Sequence, residues 1–392
     1  MRVLWITDVF PHAGRPYKGA WMVDLLGALS RHAEVLVLTP RYRSLWTPRG
    51  SFLEWYRNQP PVAAFGPVRA LYPAAPAAPW GFTMLLQTLS MAFALLPVAR
   101  REHLRRPFDL VHGHFIIPGG VAAAWIAGRL SLPLVLTAHG SDVNVFSRIS
   151  HLQSMARCAY RRAAQVTAVS RCLTNRLFEL GVSQACHIPN GCFNVAHSSA
   201  KRVRGRILFV GQLWRWKGPE VLLRAFVRVR REIPGASLMF VGEGPEEGVL
   251  REEAARSCAG GVEFRGPLPR ERVLELMESA DLFCLPSLRE GMPVTVLEAL
   301  AAGTPVVGSD VGGMKEVIRH PDLGLLVPPG DEEALGRALM EALRRPWDRD
   351  LIRAEARRYS WDRIAERYLE VYREAIVSRR MRSRRSAITG AE

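Results

Sequence analysis

Short apolar runs rich in valine, isoleucine and leucine recur at 3–6, 35–38, 109–111, 134–137 and 166–169, separated by stretches of helical length. The pattern restarts at 207–210, 238–241, 282–285, 306–307 and 325–327. Continuous apolar runs of this kind suit parallel strands covered on both faces by crossover helices. Two successive series predict an α/β chain of two doubly wound, Rossmann-like domains facing a central cleft. The seam falls at 194–204, which is polar and follows neither period. The expected order is a first domain over 1–192, a linker over 193–204, a second domain over 205–358, a helix over 359–378 and a basic tail over 379–392. Ser360 reads as the cap of that last helix, with Trp361, Ile364, Tyr368 and Tyr372 on one stripe.

Several strands end in a turn signal followed by a helix: residues 8–19, 139–142, 211–218 and 242–245. Ligands of open α/β sheets bind outside the carboxyl ends of the strands, so these loops are expected to converge on one site. The length of 392 residues allows two domains, or three, and 48% hydrophobic with 23% charged residues is ordinary for a globular chain. Six scattered cysteines (158, 172, 186, 192, 258 and 284) contain no C-x-x-C pair, which argues against a zinc ribbon and for reduced thiols in a cytoplasmic protein. The opening MRVLWITD is apolar too briefly for a secretory signal.

Charge changes the picture. The net charge is +16, and residues 1–200 hold 20 Lys+Arg against 8 Asp+Glu. The remaining excess lies in the tail, where Arg379, Arg380, Arg382, Arg384 and Arg385 face only Glu392. Such a balance fits nucleic acid, an anionic membrane surface or an acidic substrate. Only four of the 53 cations are lysines, so codon bias contributes to the arginine count. Residues 70–99 carry no charge and end at Arg100, Arg101, Arg105 and Arg106. Pro73, Pro76, Pro79 and Gly81 break this stretch, leaving a buried helix or an interfacial helix ahead of a membrane span. Trp80, Phe82 and Phe93 would supply its aromatic contacts.

The sharpest constellation is SLREGMPVTVLEALAAGTPVV over 287–307. A strand breaks at Pro286, a turn carries Glu290 and Gly291, and a helix opens at Met292, Pro293, Val294 and Thr295. Proline suits the first turn of a helix, and the unpaired N–H groups there suit a diphosphate. Glu290 and Glu298 are natural acceptors for sugar and ribose hydroxyls. Taken singly, either reads as a capping or solvated acid. Lys217 alone reads as a solvated lysine, but in a glycine-bounded loop between a buried strand and a helix it becomes a candidate phosphate ligand. His139 alone reads as a hydrogen-bonded core residue, and Gly14 and Gly19 as a flexible turn.

The spacing Glu290-x7-Glu298 followed by Ala-Gly-Thr-Pro-Val-Val resembles the E-x7-E signature of the retaining glycosyltransferases of family 4, which have the GT-B fold. ILFVGQLWRWKG (207–218), VGEGP (241–245), FRG (264–266), VGG (311–313) and LVPPGD (326–331) follow the same resemblance. In the first half TAHGSD (137–142), AVS (168–170) and IPNG (188–191) do so. The resemblance implies sugar transfer from a nucleotide diphosphate sugar to an acceptor hydroxyl, in cell-envelope polysaccharide or glycolipid synthesis. His139, Lys217 and Glu290 would be catalytic. The donor would meet Gly19, Gly211, Arg215, Lys217, Gly242, Phe264, Glu290, Gly291, Met292, Pro293, Val294 and Glu298. The acceptor would meet Gly14, His139 and Asp142 on the first domain, onto which the last helix packs back.

Two positions depart from the family's usual residues. Gln212 follows Gly211 where arginine is common, making Arg215 the candidate replacement, and Phe193 stands where an aspartate is usual. No cofactor is implied, and a UDP-sugar is favoured over a GDP-sugar. Asp348-Arg349-Asp350 spells a D-x-D metal motif but follows no buried strand, so no metal site is assigned. Retention would use attack on the leaving-group face, since no second carboxylate offers a nucleophile. The expected partners are the donor, a saccharide or lipid-linked acceptor and an anionic membrane surface, with the protein peripheral on the inner face. A nucleotide-sugar epimerase on the same fold lacks an identifiable acid/base pair. A nucleic-acid-binding protein lacks a basic motif interleaved with aromatics.

Overall fold

The predicted apolar runs become parallel strands in the computed structural model, which describes residues 1–43, 56, 58–77, 83–145, 149–193, 201–257 and 260–389. Trp80, Phe82, Cys258 and linker residues 194–200 lie outside the described residues, as do the side chains of Arg380, Arg382, Arg384 and Arg385. The chain divides into two compact units, one formed by Met1–Pro189 with Trp361–Glu392 and the other by Asn190–Ser360.

The first unit holds β1 (Arg2–Ile6), β2 (Glu34–Leu38), β3 (Arg41–Arg43), β4 (Val62–Phe65), β5 (Val68–Leu71), β6 (Ala74–Pro76), β7 (Leu110–His114), β8 (Leu134–Ala138), β9 (Gln165–Ala168) and β10 (Ala185–His187). Eight of them form a sheet in the order β10-β9-β8-β7-β1-β2-β5-β4, and β3 pairs with β6. β1 pairs in parallel with β2 and β7, placing Trp5 beside Val37 and His112. β4 alone runs antiparallel in this sheet. The central strands β1, β7 and β8 are buried at every position, β1 as an unbroken apolar run and β7 and β8 with the polar residues His112, His114 and Thr137 buried among apolar ones. Sequence reading missed β3, β4, β5, β6 and β10, which are short, alanine-rich or at sheet edges and carry no long apolar run.

The last helix spans Trp361–Thr389 and belongs to this first unit. Trp361, Ile364, Tyr368 and Tyr372 are its buried stripe and share a core with Trp5, Met22, Leu25 and Leu26. Trp361 stacks on Trp21 and Asp362 pairs with Arg31 at 2.6 Å, which fixes the helix against its neighbour Ala20–Leu29.

The uncharged stretch resolves into the end of β5, β6 and a helix over Thr83–Arg105. Met91, Leu95 and Ala99 are buried on its inner face, while Leu85, Leu86, Leu89 and Phe93 lie exposed on the other, Phe93 by 63%. Among the described residues no helix is long and apolar enough to cross a membrane.

The second unit holds β11 (Arg206–Val210), β12 (Ser237–Val241), β13 (Val262–Phe264), β14 (Leu282–Leu285), β15 (Val306–Ser309) and β16 (Gly324–Val327). They form one all-parallel sheet in the order β13-β12-β11-β14-β15-β16. The strand order reverses between β11 and β14, and in the first unit between β1 and β7. At such switch points adjacent connections leave in opposite directions and open a crevice at the strands' carboxyl ends.

Candidate functional site

The loops after β11 and β14 meet at the second unit's switch point. Leu288 N–H donates to the Trp216 carbonyl at 2.8 Å. Gly218 sits at φ +70°, and a β-carbon there would lie 2.1 Å from the Pro286 carbonyl oxygen, so only glycine allows the two loops this approach. Lys217 Nζ then reaches Glu290 Oε1 at 2.6 Å, and Ser287 Oγ donates to the same oxygen at 2.7 Å. Lys217 stays 21% exposed and Glu290 8%. The ammonium is thus held by its tip, with one face left for an anion. Arg215 is exposed on the same turn, as is Gln212, and Trp214 stacks on Trp216 at 4.7 Å.

Gly291, Met292 and Pro293 are buried and lead into the helix Val294–Ala301. Pro293 is the residue before the helix rather than inside its first turn, and no side chain caps the N–H groups there. Asn190 Nδ2 donates to the Met292 carbonyl at 2.8 Å and fixes the turn. That leaves a helix N-terminus open to an anion.

Glu298 lies on this helix, and Arg270 Nη2 donates to its Oε1 at 3.0 Å. Burial raises the Glu298 carboxyl above its ordinary range, and Arg270 opposes that rise. The Arg270 guanidinium in turn lies 4.8 Å from the centre of the Phe193 ring. Phe193 therefore supports Arg270, which supports Glu298. Arg270 was not legible as a site residue, since it lies 28 positions from its partner with no motif of its own. Gly242 follows β12, and Phe264 ends β13, where it stacks on Phe240 at 5.0 Å beneath Arg251 at 4.7 Å.

In the first unit Gly14 is exposed in a turn closed by His12 and Arg15, and Gly19 precedes the helix Ala20–Leu29 at φ +71°. A β-carbon on Gly19 would lie 2.9 Å from the Val9 carbonyl oxygen, so the loop must be tight there. His139 follows β8. Asp142 is buried and accepts from the backbone N–H groups of Ile116, His139, Gly140 and Val143, so its carboxylate builds the His139 loop. Asp8, just after β1, was missed as a site residue. Burial pushes its carboxyl up to about 6 against the pull of Lys18, and burial lowers the Lys18 ammonium against the pull of Asp8. Asp8 Oδ1 is buried and accepts no hydrogen bond among the described residues.

Behind His139 lies a buried polar chain. His139 Nε2 meets His114 Nδ1 at 3.0 Å, and His114 Nε2 meets His112 Nδ1 at 3.4 Å. His112 Nδ1 also meets Tyr372 Oη at 2.7 Å, while its Nε2 meets Thr137 Oγ1 at 2.7 Å. Burial holds His139 down at about 3 and pushes His112 and His114 well below the ordinary histidine range. All three rings are neutral at pH 7. The D-x-D carboxylates serve elsewhere: Asp348 Oδ1 accepts from the N–H groups of Asp350 and Leu351 and caps a helix.

Residues 19–192 match the model of Glycosyltransferase Family 4, and residues 204–345 match that of Glycosyl transferases group 1. A glycosyltransferase assigned to teichuronic acid biosynthesis in Bacillus subtilis is 31% identical over 86% of this chain and 88% of its own length. The phosphatidyl-myo-inositol mannosyltransferase of Mycobacterium leprae is 32% identical over 79% of this chain and 89% of its own. Anabaena HepE, solved with UDP and glucose, superposes with a TM-score of 0.70 at 20% identity over 95% of this chain and 99% of its own. The fold is GT-B, and the chain belongs to the family 4 glycosyltransferases.

Proposed function

We propose that this enzyme transfers a hexose from a UDP-sugar, bound by the second unit, to a hydroxyl of a lipid-linked acceptor bound by the first, with retention at the anomeric carbon. The observation that carries the donor half is the Lys217–Glu290 pair beside an uncapped helix N-terminus. Lys217, with Arg215 nearby, neutralises the leaving diphosphate as charge develops on it. Glu298 accepts from ribose hydroxyls, with Arg270 bonded to its Oε1 and opposing the upward pull of burial on its carboxyl. HepE, of the same fold, is solved with UDP, which favours uridine as the base. On the acceptor side, His139 and the loop around Gly14 meet the reacting hydroxyl, and the unsatisfied Asp8 Oδ1 is suited to accept a hydrogen bond from a second one.

Support for a membrane-presented acceptor comes from the helix Thr83–Arg105. Leu85, Leu89 and Phe93 recur every fourth residue on its exposed face, and Arg100, Arg101 and Arg105 follow in the same helix. Exposed apolar side chains bordered by arginines suit an anionic lipid surface, where each near-surface cation contributes about 1 kcal/mol. The relative from Mycobacterium leprae is named for a phosphatidyl-inositol acceptor.

Sedimentation with vesicles tests this reading. The enzyme is expected to pellet with anionic vesicles at low salt, to be released by high salt, and to bind less after Phe93→Ser. Absence from anionic vesicles at low salt would remove the peripheral placement.

A further inference from the structure

The chain of hydrogen bonds behind His139 has a direction. Leu136 carbonyl oxygen can only accept, and Thr167 Oγ1 donates to it at 3.3 Å. With that proton committed, the 2.6 Å contact between Thr137 Oγ1 and Thr167 Oγ1 takes its proton from Thr137. Thr137 then has only lone pairs to offer, so His112 must donate to it from Nε2.

A neutral His112 protonated on Nε2 presents a lone pair at Nδ1. Tyr372 Oη donates to that lone pair at 2.7 Å, and the His114 Nε2–H points at it from 3.4 Å. A neutral His114 protonated on Nε2 accepts at Nδ1, so the proton in its 3.0 Å bond to His139 comes from His139 Nε2. The single His112 Nδ1 lone pair is thus shared by two donors, Tyr372 closely and His114 at longer range, whereas the opposite His114 tautomer would set two lone pairs against each other at 3.4 Å. Trp5 stacks on His114 with ring centres 3.8 Å apart, and Phe115 packs on His139 at 4.3 Å, so the rings are held in place as well as polarised.

We propose that His114 and His112 are positioning residues that hold His139 as the neutral tautomer protonated on Nε2, so that it offers the reacting sugars a lone pair at Nδ1. The inference rests on the assignment of His139 to the glycosyl-transfer site. It makes His139 an acceptor of a hydroxyl proton from the donor sugar or the acceptor. It excludes a cationic role for the ring. Among the described residues no group bonds to His139 Nδ1, which leaves that atom for substrate.

The test is the ¹⁵N spectrum of histidine-labelled full-length enzyme, with the His139 signals identified by their loss in His139→Gln. A protonated Nε2 and an unprotonated Nδ1 at pH 7 are expected, and a proton on Nδ1 overturns the proposal. The spectrum reads the tautomer without turnover, so failure of the relay is distinguishable from failure of the functional assignment. Two substitutions at His114 supply the kinetic readout, scored as free UDP released from a UDP-hexose. Asparagine places an amide oxygen near the position of Nδ1, whereas leucine fills similar space with no acceptor. His114→Leu is expected to lower kcat about tenfold or more with KM for the donor little changed, and His114→Asn to recover most of it. Equal activity of the two variants overturns the proposal.

Discussion

Replacing Lys217 by alanine is expected to lower kcat about 10²- to 10³-fold, the usual cost of removing one preorganised group that meets developing negative charge. The loss should fall on kcat more than on the KM for donor, because the diphosphate needs the cation most as the glycosidic bond breaks. Lys217 sits on a one-turn helix at the surface of the second unit rather than in its core, so the fold has little stake in its side chain. Glu290 keeps its bond from Ser287 when the lysine is removed, although its mostly buried charge loses its nearest cation. Steady-state release of UDP, with thermal unfolding as the check on folding, measures this. Unchanged kcat in a folded variant would make Lys217 a structural partner of Glu290 and nothing more.

Stability is expected to fall steeply with acid. His112, His114 and His139 are neutral in the folded chain and titrate below the ordinary histidine value of about 6.5. The unfolded chain therefore takes up protons first, and their contribution is complete above about 6.5 and lost as pH falls toward the folded-state values. Each ring removes up to about 1.4 kcal/mol per pH unit in that window. Asp8 works the other way. Its carboxyl, raised to about 6, binds its proton in the folded state before the unfolded one, so it recovers stability as pH falls through 6 toward 4. Between pH 6.5 and 5 the three rings together outweigh Asp8, so a net loss of stability and a lower Tm are expected. Thermal unfolding at pH 7, 6 and 5 at fixed ionic strength checks it, and a flat Tm would mean that the three rings are not buried together as neutral imidazoles.

Much of the candidate site was legible in the sequence where the residues concerned lie in one stretch. Glu290, the helix and Glu298 follow one another within a dozen residues, and Lys217 lies in a loop bounded by glycines, so they could be read together as candidates, with their roles implied by the family resemblance. Central strands such as β1 and β14 were legible because burial on both faces leaves an unbroken apolar run, whereas in β7 His112 and His114 interrupt it. What spacing does not encode is which distant groups meet. Nothing in the order of residues joins Arg270 to Glu298, Lys217 to Glu290, or Tyr372 to His112, 260 positions away. Lys217 and Glu290 meet because parallel strands bring two loops to one sheet edge, Arg270 and Glu298 because two helices pack side by side, and Tyr372 and His112 because the last helix packs on β7. Phe193, a departure from the family's usual aspartate, gained a meaning only through the guanidinium that lies on it. Asp142 was legible as part of TAHGSD in type but not in task, because its carboxylate is taken up by backbone N–H groups of its own loop.

The donor site is tested most directly by calorimetric titration of UDP and GDP into the full-length enzyme and into Glu298→Gln. The buried Glu298 carboxyl beside Arg270 is proposed to accept from the ribose hydroxyls, and a hydrogen bond to a charged group contributes about 1.5–3 kcal/mol. UDP is expected to bind at one site per chain, more tightly than GDP, and to bind Glu298→Gln roughly ten- to a hundredfold more weakly. Equal UDP affinity of the two folded proteins would contradict the placement of the donor nucleotide at Glu298.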